Sequence, residues 1–140
     1  KLLETLWAAG ITHYDVASLG EVRLVHKFLP DAKLCFMHPV KSERAIAQAY
    51  HNHNVRTFSL DSHEELQKIV RATDGATDLE LCVRLRVSSE HSELSLASKF
   101  GAELGETREL LMATRQAADA LGVHRNTLAR KMATLKMIKK

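Results

Sequence analysis

Four short apolar runs, each ending in small or polar residues and each followed by a helix-length amphipathic segment, leave this chain few topologies. The runs cover residues 11–17, 33–38, 55–60 and 79–87, at intervals of about 20–25 residues. A strand joined to the next through a helix cannot pair as a hairpin. It must pair in parallel through a crossover, and such crossovers are right-handed. The runs show little alternation, so the sheet is expected to be covered by helices on at least one side. The order reads α-β-α-β-α-β-α-β. Four strands make half of an eight-stranded barrel or a small open sheet, and periodicity alone does not choose between them.

Capping signals divide the helices from the strands. Leu2, Leu3, Leu6 and Trp7 share a face of a first helix that Gly10 stops. The second helix covers about 19–28 and ends before Pro30. Ser42 caps a third, through about His51, with Ala45, Ile46, Ala49 and Tyr50 at helical spacing. Asp61 or Ser62 caps a fourth, in which Leu66, Ile69 and Val70 form the buried face and Glu65 favours the first turn. Asp74-Gly75 is a turn. Residues 88–98 read as a polar loop, 106–120 as a helix, Gly122 as its break and 126–136 as a last helix.

The chain's 140 residues suffice for one domain with a real core. No apolar run approaches the ~18–20 residues of a membrane span, and nothing resembles a signal peptide, so a cytoplasmic protein with no membrane partner is expected. Cys35 and Cys82 lie in apolar runs without metal-ligand spacing and read as buried reduced thiols. The histidines form no H-x-x-x-H or H-E-x-x-H pattern, so no metal site is expected. His51 and His53, near a helix end, read as solvent-facing or as complements to the helix dipole. The net charge of +3 is unevenly spread. Residues 1–104 hold 12 basic and 14 acidic side chains, whereas residues 105–140 hold 8 and 3. From His124 onward there are six Lys/Arg and no acid, which suggests a separate partner for that end.

The strand ends carry a family resemblance. The segments AAGITHYDVASLGEVRLV, FMHPVKSERAIAQAY, VRTFSLDSHEELQKI, LCVRLRV and LASKFGAEL, in this order and spacing, resemble the pyridoxal-phosphate-dependent ornithine/diaminopimelate decarboxylases of the alanine-racemase barrel type. The bacterial ornithine/lysine enzymes look most similar. The resemblance implies that residues 1–104 are part of a pyridoxal-phosphate-binding (β/α) barrel, acting on a basic amino acid in polyamine synthesis. It implies cofactor contacts for Asp15, Ser18, Glu21 and Arg84, and a homodimer to which Lys99, with Phe100 and Gly101, contributes. His38, Pro39 and Lys41 match a strand-end segment on the same side.

The residues also admit structural readings. Asp15 can be a strand-end turn former, and Ser18 with Glu21 a capping box. Arg84, on an apolar strand, wants an anionic partner if buried, and Arg86 is its rival two residues on. Lys41 is either a solvated lysine or a Schiff-base amine. In the family the cofactor lysine lies on a strand upstream of the first helix here. The downstream stacking histidine, the Gly-rich phosphate loop and the second domain have no counterpart in this sequence. A segment that does not decarboxylate by itself is therefore expected. An open half barrel is also expected to expose an apolar interior face and to self-associate.

Residues 113–137, ATRQAADALGVHRNTLARKMATLKM, resemble the C-terminal helix-turn-helix of Fis-type bacterial regulators. Ala117, Ala118 and Leu121 would pack inward, Gly122 turn, and Val123, Leu128, Met132 and Leu135 anchor a second helix. His124, Arg125, Asn126, Thr127, Arg130 and Lys131 would then face duplex DNA. This hairpin belongs to a helical segment 105–140, and its junction with the barrel segment falls within 104–123.

Overall fold

The computed structural model describes residues 1–86 and 100–120. Among the described residues nine elements follow one another: α1 (Leu2–Ala8), β1 (His13–Val16), α2 (Leu19–Phe28), β2 (Lys33–Phe36), α3 (Glu43–His53), β3 (Thr57–Leu60), α4 (His63–Ala72), β4 (Glu80–Val83) and α5 (Leu104–Ala120). The strands pair in parallel in the order β1-β2-β3-β4, as a run of consecutive β/α units requires. Beyond β4 the returning chain adds a parallel bridge, Leu85 to Ala102, held by Arg86 N–H to Ala102 O and Ala102 N–H to Arg84 O, both 2.9 Å. The expected α/β half barrel is the observed fold. The helix expected over 106–120 is observed as α5, and the expected C-terminal hairpin from residue 121 onward lies outside the described residues.

Serines start three of the helices. Ser18, Ser42 and Ser62 each accept the backbone N–H three residues on, at 3.2 Å, from extended backbone. Each thus satisfies a donor that the first helical turn leaves without a partner. Asn54, in the left-handed region at φ 55°, closes α3. The strands are shorter than the apolar runs that announce them. Residues 11–12, 37–38 and 55–56 flank the ladder rather than join it.

One face of the sheet is the core. Tyr14, Val16, Leu34, Phe36, Phe58 and Leu60 pack against Val22, Val25, Ile46, Ala49, Leu66 and Ile69 of the helices, and Leu110 of α5 joins them. The other face is polar. Asp15, Cys35 and Thr57 stand side by side in register, Glu80 pairs with Thr57, and Ser59 pairs with Cys82. Thr57 Oγ1 donates to Glu80 Oε2 at 3.1 Å. This corrects the expectation of an apolar interior face. Alternation is present, but Cys and Thr blur it within four-residue strands. The two thiols are half-buried rather than buried, and neither is in a disulfide. Burial pushes the Cys35 thiol up, against a lowering hydrogen bond with Thr57.

Candidate functional site

The C-terminal ends of parallel strands are where the connecting loops converge, and here they enclose a cleft of about 470 Å³. Asp15 and Ala17 come from the end of β1, Met37, His38 and Pro39 from the loop after β2, and Ser59 from β3. Cys82, Val83 and Arg84 come from the end of β4, and Phe100 closes the side beyond it. Asp15 and Arg84, far apart in sequence, are thus brought to one wall-and-floor arrangement.

Ser18 and Glu21 sit one turn further back. Ser18 Oγ accepts Glu21 N–H at 3.2 Å, and Glu21 Oε2 accepts Ala17 N–H at 2.6 Å. This reciprocal cap fixes the turn that carries Ala17 into the cleft, and neither side chain lines it. Arg84 stands with its guanidinium carbon 5.8 Å from the Phe100 ring centroid. Arg86, its rival, pairs instead with Glu103 at 3.2 Å. Lys99 and the six residues His124, Arg125, Asn126, Thr127, Arg130 and Lys131 lie outside the described residues.

Sequence reading missed Ser59, Cys82 and Phe100 as cleft residues. Ser59 is 1% exposed, and its Oγ has no hydrogen-bond partner among the described residues. Ser59 lines the cleft, and a buried hydroxyl left without a partner costs free energy. Phe100 could have been found from the Gly101 that follows it. Gly101 adopts φ +102°, and a Cβ there would come within 2.7 Å of Arg86 N and 2.8 Å of Leu85 C. Its N–H donates to Asp61 Oδ2 at 2.9 Å. Asp61 is therefore not the α4 cap, which is Ser62, but the latch that returns Phe100 to the strand ends. There the Phe100 ring meets the His38 ring edge-on at 5.4 Å.

Lys41 is neither solvated nor a cleft amine. Its side chain is fully buried, and Nζ contacts Glu65 Oε1 at 2.9 Å, His38 O at 2.9 Å and Ser59 O at 2.5 Å. Burial draws the ammonium below its usual pKa, and the Glu65 carboxylate opposes that shift. Glu65, in the first turn of α4, also takes Lys68 Nζ at 2.5 Å and Lys41 N–H at 3.1 Å. Among the described residues no group of three or more His, Cys, Asp or Glu side chains that could hold a metal ion occurs. His51 contacts Asp74 at 3.4 Å, and His53 stacks edge-on against His26 at 4.9 Å. No helix among the described residues is long and apolar enough to cross a membrane.

Known proteins share this sequence and geometry. The lysine/ornithine decarboxylase of Selenomonas ruminantium is 34% identical over 125 residues, which are 88% of this chain and 30% of that protein. The agmatine-bound arginine decarboxylase of Paramecium bursaria Chlorella virus superposes with a TM-score of 0.73 at 27% identity, over 84% of this chain and 30% of that one. A mutant of SrLDC in complex with PLP gives 0.72 at 31% identity, over 84% and 29%. The chain thus spans about 30% of the length of these relatives. The family model for the pyridoxal binding domain of the pyridoxal-dependent decarboxylases matches residues 1–125, the whole of α5 included, and the chain belongs to that family.

Proposed function

We propose that this chain builds one side of the cofactor site of a pyridoxal-phosphate-dependent decarboxylase of basic amino acids, of the ornithine/lysine class that serves polyamine synthesis. One observation carries the reading: Asp15, His38, Arg84 and the unpartnered Ser59 hydroxyl converge on one strand-end cleft. The donor set suits a planar, anionic ring. Arg84 offers a cation to anionic oxygens, Ser59 a hydroxyl, His38 an imidazole and Asp15 a carboxylate acceptor. Met37, Pro39, Val83 and Phe100 supply apolar contact and exclude water. The bound cofactor supplies an electron sink for decarboxylation. The described lining residues include no lysine, and the Lys41 amine is committed elsewhere, so binding to this chain is expected to be noncovalent.

An absorbance titration with pyridoxal phosphate, followed by borohydride reduction and peptide mapping, tests this. A saturable change is expected, with no reduced adduct at Lys41, and Arg84→Met should weaken binding about tenfold by removing a charge-assisted contact. A folded chain with no saturable change, or an Arg84→Met variant that binds like wild type, contradicts the reading.

Relatives named for lysine, ornithine and arginine support a basic amino-acid substrate in the complete enzyme. Homodimerisation through the Lys99 region is part of the same reading, and sedimentation velocity reads it directly. Two cysteines outside any disulfide support a cytoplasmic location. For the tail a second reading stands on its six cations without an acid: duplex DNA binding through the Fis-like hairpin. Binding that weakens steeply with salt supports it, and salt-insensitive or absent binding removes it.

A further inference from the structure

Buried ammonium groups are costly, and a chain keeps one where its three donors are all used. The Lys41 ammonium is such a case. It spans three segments: the loop after β2 through His38 O, the end of β3 through Ser59 O, and α4 through Glu65. Lys68 closes the network from the other side, donating to Lys41 O at 2.8 Å and to Glu65 Oε2. Both carbonyls that Lys41 holds belong to residues lining the cleft.

The consequence is sharpest at His38. The turn from His38 to Lys41 is closed twice, by Lys41 Nζ on the His38 carbonyl and by Val40 N–H on His38 Nδ1 at 3.2 Å. A backbone N–H can only donate, so the neutral ring must accept at Nδ1 and carry its proton on Nε2. Phe100 packs against the ring and limits its rotation. The imidazole is therefore oriented before any ligand arrives, by Val40 and Lys41, which do not line the cleft, and by Phe100, which does.

We propose that Lys41 is a positioning residue: through the His38 and Ser59 carbonyls it holds the His38 imidazole with Nδ1 occupied and Nε2–H free to donate to a bound ligand. The proposal rests on reading the cleft as the cofactor site. A second clamp provides the control. Arg56 contacts Asp78 at 2.5 Å and lies over the Tyr50 ring at 4.1 Å, at the opposite, N-terminal ends of β3 and β4.

The test compares the 140-residue chain with its Lys41→Met, Glu65→Gln and Arg56→Met variants. The first readout needs no ligand: imidazole ¹⁵N shifts of His38 at mildly alkaline pH. Wild type and Arg56→Met should show the Nε2–H tautomer, and Lys41→Met a mixture of both. Glu65→Gln, which keeps the volume, should move the same way and serves where Lys41→Met does not fold. The second readout is pyridoxal phosphate affinity, expected to fall about tenfold in Lys41→Met, the scale on which loss of a supporting group weakens a metal site. It should hold in Arg56→Met. An unchanged tautomer in the folded brace variants overturns the proposal. So does an equal affinity loss in Arg56→Met, which would reduce Lys41 to a contributor to global stability. A tautomer that shifts in Lys41→Met while wild type binds no pyridoxal phosphate supports the brace and refutes the cofactor reading instead.

Discussion

Gly101 is the position where a single methyl group tests how the cleft is closed. Its φ of +102° is a conformation that L side chains rarely adopt, and the space beside it is filled by backbone. The added Cβ of Gly101→Ala would lie 2.7–2.9 Å from Arg86 N, Leu85 C and Leu85 O. None of these atoms can rotate away as a side-chain end could. The conformational strain alone costs about 1–2 kcal/mol. Overpacking against fixed atoms adds about 1–3 kcal/mol, for a total of about 2–5 kcal/mol. The natural relief is separation of the returning segment from β4, which breaks the Leu85 to Ala102 bridge and the Asp61 to Gly101 hydrogen bond. Phe100 would then leave His38 and Arg84. Gly10→Ala is the matched control, since Gly10 has φ +88° but nothing within 4 Å of an added Cβ. Urea unfolding should show Gly10→Ala losing only the strain, about 1–2 kcal/mol, and Gly101→Ala clearly more. Equal losses in the two variants would refute the argument, because they would leave the clash without effect.

Two further outcomes follow from the buried polar groups. Ser59→Ala removes a hydroxyl that has no partner among the described residues, so stability should hold or rise by up to about 1 kcal/mol in thermal unfolding, while pyridoxal phosphate affinity falls. A loss above about 1 kcal/mol would show that the hydroxyl is satisfied in solution. His53 is held below its usual pKa by burial, then by His26 and Arg23. For a base with a depressed folded pKa the unfolded chain takes up the proton first. Stability should therefore be full above the ordinary value of 6.5 and decline as pH falls through it. Melting temperature against pH, in wild type and His53→Gln, checks this, and an identical decline in both would exclude His53 as its source.

The helices were legible because their signals are local. Ser18, Ser42 and Ser62 each begin a capping pattern three residues long, and α2 begins at the expected Leu19 and ends at the expected Phe28. The strand ends were overextended at 11–12 and 37–38, since hydrophobicity continues where the ladder stops. Asp15 and Arg84 were found through motifs rather than periodicity, and the structure brings both to one cleft. The polar interior face was missed because four-residue strands give only two residues per face, and Cys35, Thr57 and Cys82 pass for apolar. Lys41 was unreadable for a different reason. Its partners are Glu65, 24 residues away, and two carbonyls, which no side-chain pattern announces.

The most direct test of the central claim is a ¹H–¹⁵N correlation map of the chain titrated with pyridoxal phosphate. The account predicts saturable shifts confined to the strand-end residues, Asp15, Ala17, His38, Ser59, Arg84 and Phe100 among them. Shifts scattered over the helices, or confined to the basic tail, would contradict it.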